Sequence, residues 1–170
     1  MNLAQSPHIP TSGTRPRLKD VPWLLVYSTR GLFELVRARF IFGSLKAKDI
    51  LARNRESRLT ADRWKSEKYT KNRFVREKQL ARISYVIPRL SERLPWRSDC
   101  LIQAIAGQNW LLTIGAQSEI QIGVDNPEDG QFGAHAWLLH DGQIVTGGDI
   151  SRYDLLLGNS RLDRNPDIRE

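Results

Sequence analysis

Two side chains carry the reactive chemistry of this chain: a single cysteine, and a histidine 35 residues later on a predicted strand. Cys100 opens the predicted helix SDCLIQAIAGQNWLLTIG, with Ser98 or Asp99 as the N-cap and Gly115 as the stop. The free amides and dipole of a helix N-terminus favour negative charge, so a thiolate is stabilised there, and the same amides suit an oxyanion. The alternative is an inert thiol that packs as a small hydrophobe. His135 belongs to AHAWLLHDGQIVTGG, whose Asp141-Gly142 pair predicts a two-residue hairpin turn. A base for the thiol must face it from a rigid element. A structural core histidine is the competing reading, but Gly133, Ala134 and Ala136 leave room beside the ring for another chain or a substrate.

A third group should orient the imidazole. The turn pairs 140 with 143 and 135 with 148, which puts Asp149 at the strand end within reach of the ring. Asp149 is equally suited to cap a short helix starting at Ile150. Its rival, Asp141, sits in the turn, roughly 20 Å of strand from His135. Trp96, Arg97, Phe132 and the 125–131 turn are candidates to line the cleft. Trp137 shares a strand face with His135 and either walls the site or packs in the core. Three histidines (His8, His135, His140) and one cysteine do not suit a structural zinc site, and no metal or cofactor is expected.

These groups need elements to hold them. Residues 1–20 read as a flexible polar tail without the apolar core of a secretory signal. From 21 to 95 the spacing predicts basic helices. The first has Leu25, Tyr27, Leu32, Leu35, Val36 and Phe40 on one apolar face and ends near Gly43. A short helix over 45–55 follows, then a charge-dense stretch that is either an exposed helix or a linker. A further helix carries Phe74, Leu80, Ile83, Val86 and Ile87, broken or kinked at Pro88. Residues 96–170 switch to helix, a strand over SEIQIGV, and the hairpin. The class is therefore α+β: a helix on a small antiparallel sheet, preceded by a helical half, the two forming one compact domain.

The charge is uneven. Residues 1–97 hold 22 Lys and Arg against 8 Asp and Glu, whereas residues 98–170 hold 4 against 11. Such a basic half suits an acidic peptide, nucleic acid, an anionic membrane or simply a solvated helical surface. No nucleic-acid motif is present, so none is expected as a partner. No run of about 18 apolar residues exists. Helix 23–42, whose apolar face includes Trp23, Leu25 and Phe40, could lie on a membrane, but it is expected to pack against the catalytic region or a partner, without membrane association, in a cytoplasmic protein.

The run RLPWRSDCLIQAIAGQNWLLTIG, then IQIGV, then FGAHAWLLHDGQIVTGG, resembles the lasso-peptide leader peptidases, the B-protein family with a transglutaminase-like core. The matching positions are Trp96, Cys100, Leu101, Ala134, His135, Ala136 and Trp137, over about residues 74–150. The resemblance implies a papain-like Cys-His-Asp protease with Cys100 as nucleophile and His135 as base and acid. It also implies an Asp about 12 residues after the histidine, where this chain has Gly147. The implied activity is removal of the leader from a ribosomally made precursor. An ATP-dependent, asparagine-synthetase-like cyclase then closes the ring. Because the first 95 residues lack alternating strands, the split form is expected, with a separate leader-recognition protein. Two other readings stand: a transglutaminase-like acyl transferase or hydrolase acting on another peptide, and a non-catalytic peptide-binding module.

Overall fold

The computed structural model describes residues 21–66, 73–96, 99–125 and 133–158. The tail, Arg97, Ser98, Phe132 and most of the 125–131 turn lie outside them. The chain is α+β, as the pattern predicts. Its elements run α1 (Val21–Phe42), α2 (Ala47–Ser66), α3 (Arg73–Ser91), α4 (Cys100–Thr113), β1 (Glu119–Asp125), β2 (Gly133–His140), β3 (Gln143–Thr146) and β4 (Asp154–Leu157). The strands form one antiparallel sheet in the order β3-β2-β1-β4.

Helix α4 is the centre of the molecule. It packs against α1 and α3 on one side and β2 on the other, so residues 104–111 are all buried. A helix enclosed on all sides needs no polar face. At Gly107 it lies tight against the sheet, where a Cβ would come within 2.6 Å of Leu138 Cδ2. Leu35, Ile83, Ile87, Ile102, Ile105, Leu111, Ile120 and Leu138 form the fully enclosed heart of the core.

Helix α2 docks by polar contacts. Asn54 Nδ2 donates to Ile120 O and Asn54 Oδ1 accepts the Ile120 N–H, both at 2.8 Å. One side chain thus satisfies both backbone groups of a strand residue, at a position β4 does not reach. Gln108 Nε2 donates to the same Oδ1 at 3.0 Å, and Ser57 Oγ accepts the Ser118 N–H at 2.9 Å. Arg53 donates to Gln108 and Asn109. Burial lowers the guanidinium's proton affinity below its ordinary value, and Glu56 partly restores it.

Several expectations are corrected. The apolar face predicted for α1 is split: Leu35 is buried and Tyr27 packs on the core, but Leu25, Leu32 and Phe40 are exposed, and Gly31, Glu34 and Ala38 face inward in their place. Gly31 is there because α1 presses on Leu90 and Val86 of α3, both 3.0 Å from where its Cβ would stand. The short helix over 45–55 is in fact α2, which continues through the charged stretch to Ser66. Pro88 does not break α3, which runs on to Ser91. Near the helix end, Arg89 Nη1 donates to Tyr85 O at 3.1 Å, and Pro88 O accepts both Ser91 Oγ–H at 2.6 Å and the Glu92 N–H at 3.2 Å. No helix starts at Ile150; a turn leads into β4.

Candidate active site

Cys100 is the first residue of α4, preceded by Asp99 as N-cap, whose side chain makes no capping hydrogen bond. The α4 apolar sequence drives the helix into the core and so pins its first turn against the edge of β2. There the Cys100 Sγ accepts the Ala136 N–H at 3.3 Å. That amide is available because β3 ends at Thr146, which pairs with Leu138, and no strand continues past it along β2. The thiol therefore lies one residue from His135. An amide N–H aimed at the sulfur and the helix dipole both favour negative charge on it.

The hairpin forms as predicted at its tip. Asp141 and Gly142 have φ of 47° and 77°, the signs a type I′ turn requires. His140 pairs with Gln143 and Leu139 with Ile144, but the register then slips, and Leu138 pairs with Thr146. This bulge overturns the predicted pairing of 135 with 148. Beyond the last pair, at Thr146, the chain turns so that His135 Nε2 lies 2.6 Å from Gly147 O. A carbonyl can only accept, so Nε2 carries the hydrogen and the neutral ring keeps its lone pair on Nδ1.

Position 147 is where the resemblance leads one to look for an acid. The backbone there forbids one: φ is 113°, and a Cβ would stand 2.4 Å from Trp137 Cβ and 2.9 Å from its Cα. Asp149 lines the same cleft, and its Oδ1 accepts the Ser151 N–H at 2.9 Å, a local loop contact. Asp141 remains at the hairpin tip, 3.5 Å from His140 Nε2.

A cleft of about 640 Å³ joins the parts. Ser84, Pro88, Arg89 and Glu92 of α3 form one wall, Cys100 and Gln103 of α4 another. His135 and the chain from Ile144 to Asp149 complete it. The cleft thus draws on both sides of the boundary expected at 95/96. Trp96 and Trp137, named as wall candidates, are not among these lining residues. Trp96 is half-buried, with its Nε1 enclosed and unpartnered. Trp137 is a packing residue: it is 2% exposed, donates Nε1–H to Gln121 Oε1 at 2.9 Å, and lies over Gly123.

Tyr153 escaped the sequence reading. Its ring stacks on His135, with centroids 4.8 Å apart and planes at 26°. The His135 and Trp137 rings lie 6.2 Å apart on the same face of β2. Arg152 holds the tyrosine from outside, donating Nη2–H to its hydroxyl at 2.6 Å, and lies 3.5 Å from Asp125. A lone Tyr between Arg and Asp in RYD gives no periodic signal, which is why sequence spacing missed it. Among the described residues, no group of three or more His, Cys, Asp or Glu is placed to hold a metal ion.

The arrangement can perform thiol chemistry on a carbonyl: a sulfur at a helix start, an imidazole tethered through one nitrogen, and an open cleft against both. The family model described as the transglutaminase-like superfamily matches residues 35–157. No curated protein and no solved structure matches the chain.

Proposed function

The chain belongs to the transglutaminase-like superfamily, and from that premise we propose that it is a cysteine peptidase of lasso-peptide maturation. It removes the leader from a ribosomally made precursor in the cytoplasm. A separate recognition protein presents the leader, and an asparagine-synthetase-like cyclase consumes the product. The superfamily's domain fits a papain-like cysteine protease or an acyl transferase. The observation that carries the peptidase reading is the Cys100 sulfur bonded to the amide next to His135, in a cleft open to a peptide.

In this mechanism His135 Nδ1 takes the Cys100 proton, and the sulfur attacks the carbonyl carbon of the last leader residue. The S–C bond forms as the C=O π pair moves to oxygen, which the first-turn amides of α4 stabilise. Collapse breaks the C–N bond, and His135 returns the proton to the departing amine. Water, deprotonated by the same ring, then hydrolyses the thioester and frees the sulfur. The Gly147 carbonyl holds the ring through both transfers, and Asp149 stands on the same loop as the alternative orienting group.

Incubation with precursor peptides, with and without the recognition protein, tests this by mass spectrometry. Leader release is expected from the wild-type chain and at least about a thousandfold less from Cys100→Ala or His135→Ala. Release undiminished in either variant refutes the mechanism. Transfer of the leader acyl group to an added amine, in preference to water, identifies an acyl transferase instead.

A further inference from the structure

Helix α1 turns an apolar face to solvent that the fold does not use. Phe40 is 79% exposed, Val26 66%, Leu25 65% and Phe33 58%, with Val21 and Leu32 also in the open. At 100° per residue these side chains fall within one arc of roughly 140° along a helix about 33 Å long. They form a continuous stripe on the side away from α3 and α4, which hold Gly31, Glu34, Leu35 and Ala38.

The borders of the stripe are cationic. Arg39 lies at one edge, and Arg30 and Arg37 lie at the other. The only acid of α1, Glu34, is fully buried on the inner side, 2.7 Å from Arg30. The stripe's hydroxyl, on Thr29, donates to Leu25 O at 2.9 Å, so its hydrogen is spent on the helix backbone. An apolar strip flanked by arginines, with its polar groups satisfied internally, is how a helix is built to lie in a bilayer interface. Arg30 is held by Glu34 at 2.7 Å and Arg37 stands 4.0 Å from it, so the stem best placed to reach outward to headgroup phosphates is that of Arg39.

We propose that α1 is a docking surface for a bilayer rich in anionic lipid, on which the protein rests peripherally. Among the described residues no helix is long and apolar enough to cross a membrane, so α1 lies on the surface. A second copy of the chain fits less well, since it would set arginine borders against each other. A protein partner would ordinarily find about one hydrogen bond per 100–200 Å² of contact, and the middle of this stripe offers no such group. The expectation that the chain stays off membranes assumed that Leu25, Leu32 and Phe40 pack inward, and they do not. The proposal is independent of the peptidase reading.

Co-sedimentation of the full chain with vesicles of phosphatidylcholine, with and without phosphatidylglycerol, tests it. The protein is expected to pellet with the phosphatidylglycerol vesicles, and added salt should release it. Phe33→Ser and Phe40→Ser should each lower partitioning about tenfold, and Arg39→Gln about fivefold. All three residues are solvent-facing, so circular dichroism should be unchanged; Cys100→Ala should bind like the wild type. A wild type that stays in the supernatant with both vesicles overturns the proposal. So does equal binding to both lipid mixtures, or phenylalanine variants that pellet undiminished. A solution dimer abolished by Phe40→Ser, without vesicle binding, would assign the stripe to a second copy and overturn it equally.

Discussion

His135 is tied through Nε2 to the carbonyl of Gly147, a backbone group standing where the family resemblance implies a carboxylate. A carbonyl fixes ring orientation and tautomer as a carboxylate does, but supplies no full negative charge to a developing imidazolium. Four outcomes follow from this and neighbouring contacts.

Asp149→Ala should lower kcat for leader release by less than about tenfold, since loss of a true triad acid costs about 10⁴. The Asp149 side chain accepts from Ser151 N–H, so its removal loosens the loop. Asp141→Ala should leave kcat unchanged and cost about 1 kcal/mol, from the positive φ of the turn. Steady-state kinetics on the two variants decide. A loss beyond about a hundredfold in folded Asp149→Ala would give the orienting role to that carboxylate; the same loss in Asp141→Ala would move it to the hairpin tip.

Gly147→Ala should destabilise the fold by about 3 kcal/mol or more, because its Cβ meets the Trp137 backbone. Gly148→Ala is the control. Its φ is also positive, at 64°, but nothing lies within 4 Å, so it should cost about 1 kcal/mol. Thermal unfolding reads both, and equal losses would contradict the steric account.

Tyr153→Ala should lower kcat about tenfold, the upper range of an aromatic pair, with KM little changed. Tyr153→Phe keeps the stacking face on His135 and should restore most of the rate. If phenylalanine fails to rescue, the hydroxyl held by Arg152 matters more than the stack.

Asn54→Ala should cost about 3 kcal/mol, leaving Ile120's backbone groups and Gln108 short of partners. The midpoint of thermal unfolding should fall by roughly 6–12 °C, while activity well below the transition persists. An unchanged midpoint would mean that water replaces the amide without cost.

Much of this was legible from spacing. The apolar run after Cys100 marked α4, alternation marked β1, and Asp141-Gly142 marked the turn. The thiol and imidazole were singled out by type and position, and the fold brings them to one cleft. What spacing missed depends on contacts distant in the chain. The bulge that adds Val145 to β3, and the contact of Gly147 O with His135 beyond the strand end, are invisible in the alternation of QIVT. Tyr153 reaches the ring only because β4 returns beside β1. The inward side of α1 was misjudged because it buries Gly31, Glu34 and Ala38, small and charged residues that a hydrophobicity pattern places outside. Pro88 was read as a break or kink because its missing donor is visible in sequence, while the packing that carries α3 on to Ser91 is not.

The hydrogen bonds between Asn54 and Ile120 also bear on where this chain can be divided. The charge balance invites a cut near Pro95, between a basic appendage and a reactive half. Such a cut would strip α4 of the helices that cover it and leave both backbone groups of a central strand residue unanswered. The reactive half is therefore not a transplantable module. Anyone fusing, trimming or grafting the thiol site must carry α1 to α3 along with it, because what looks like an accessory segment is one side of the core.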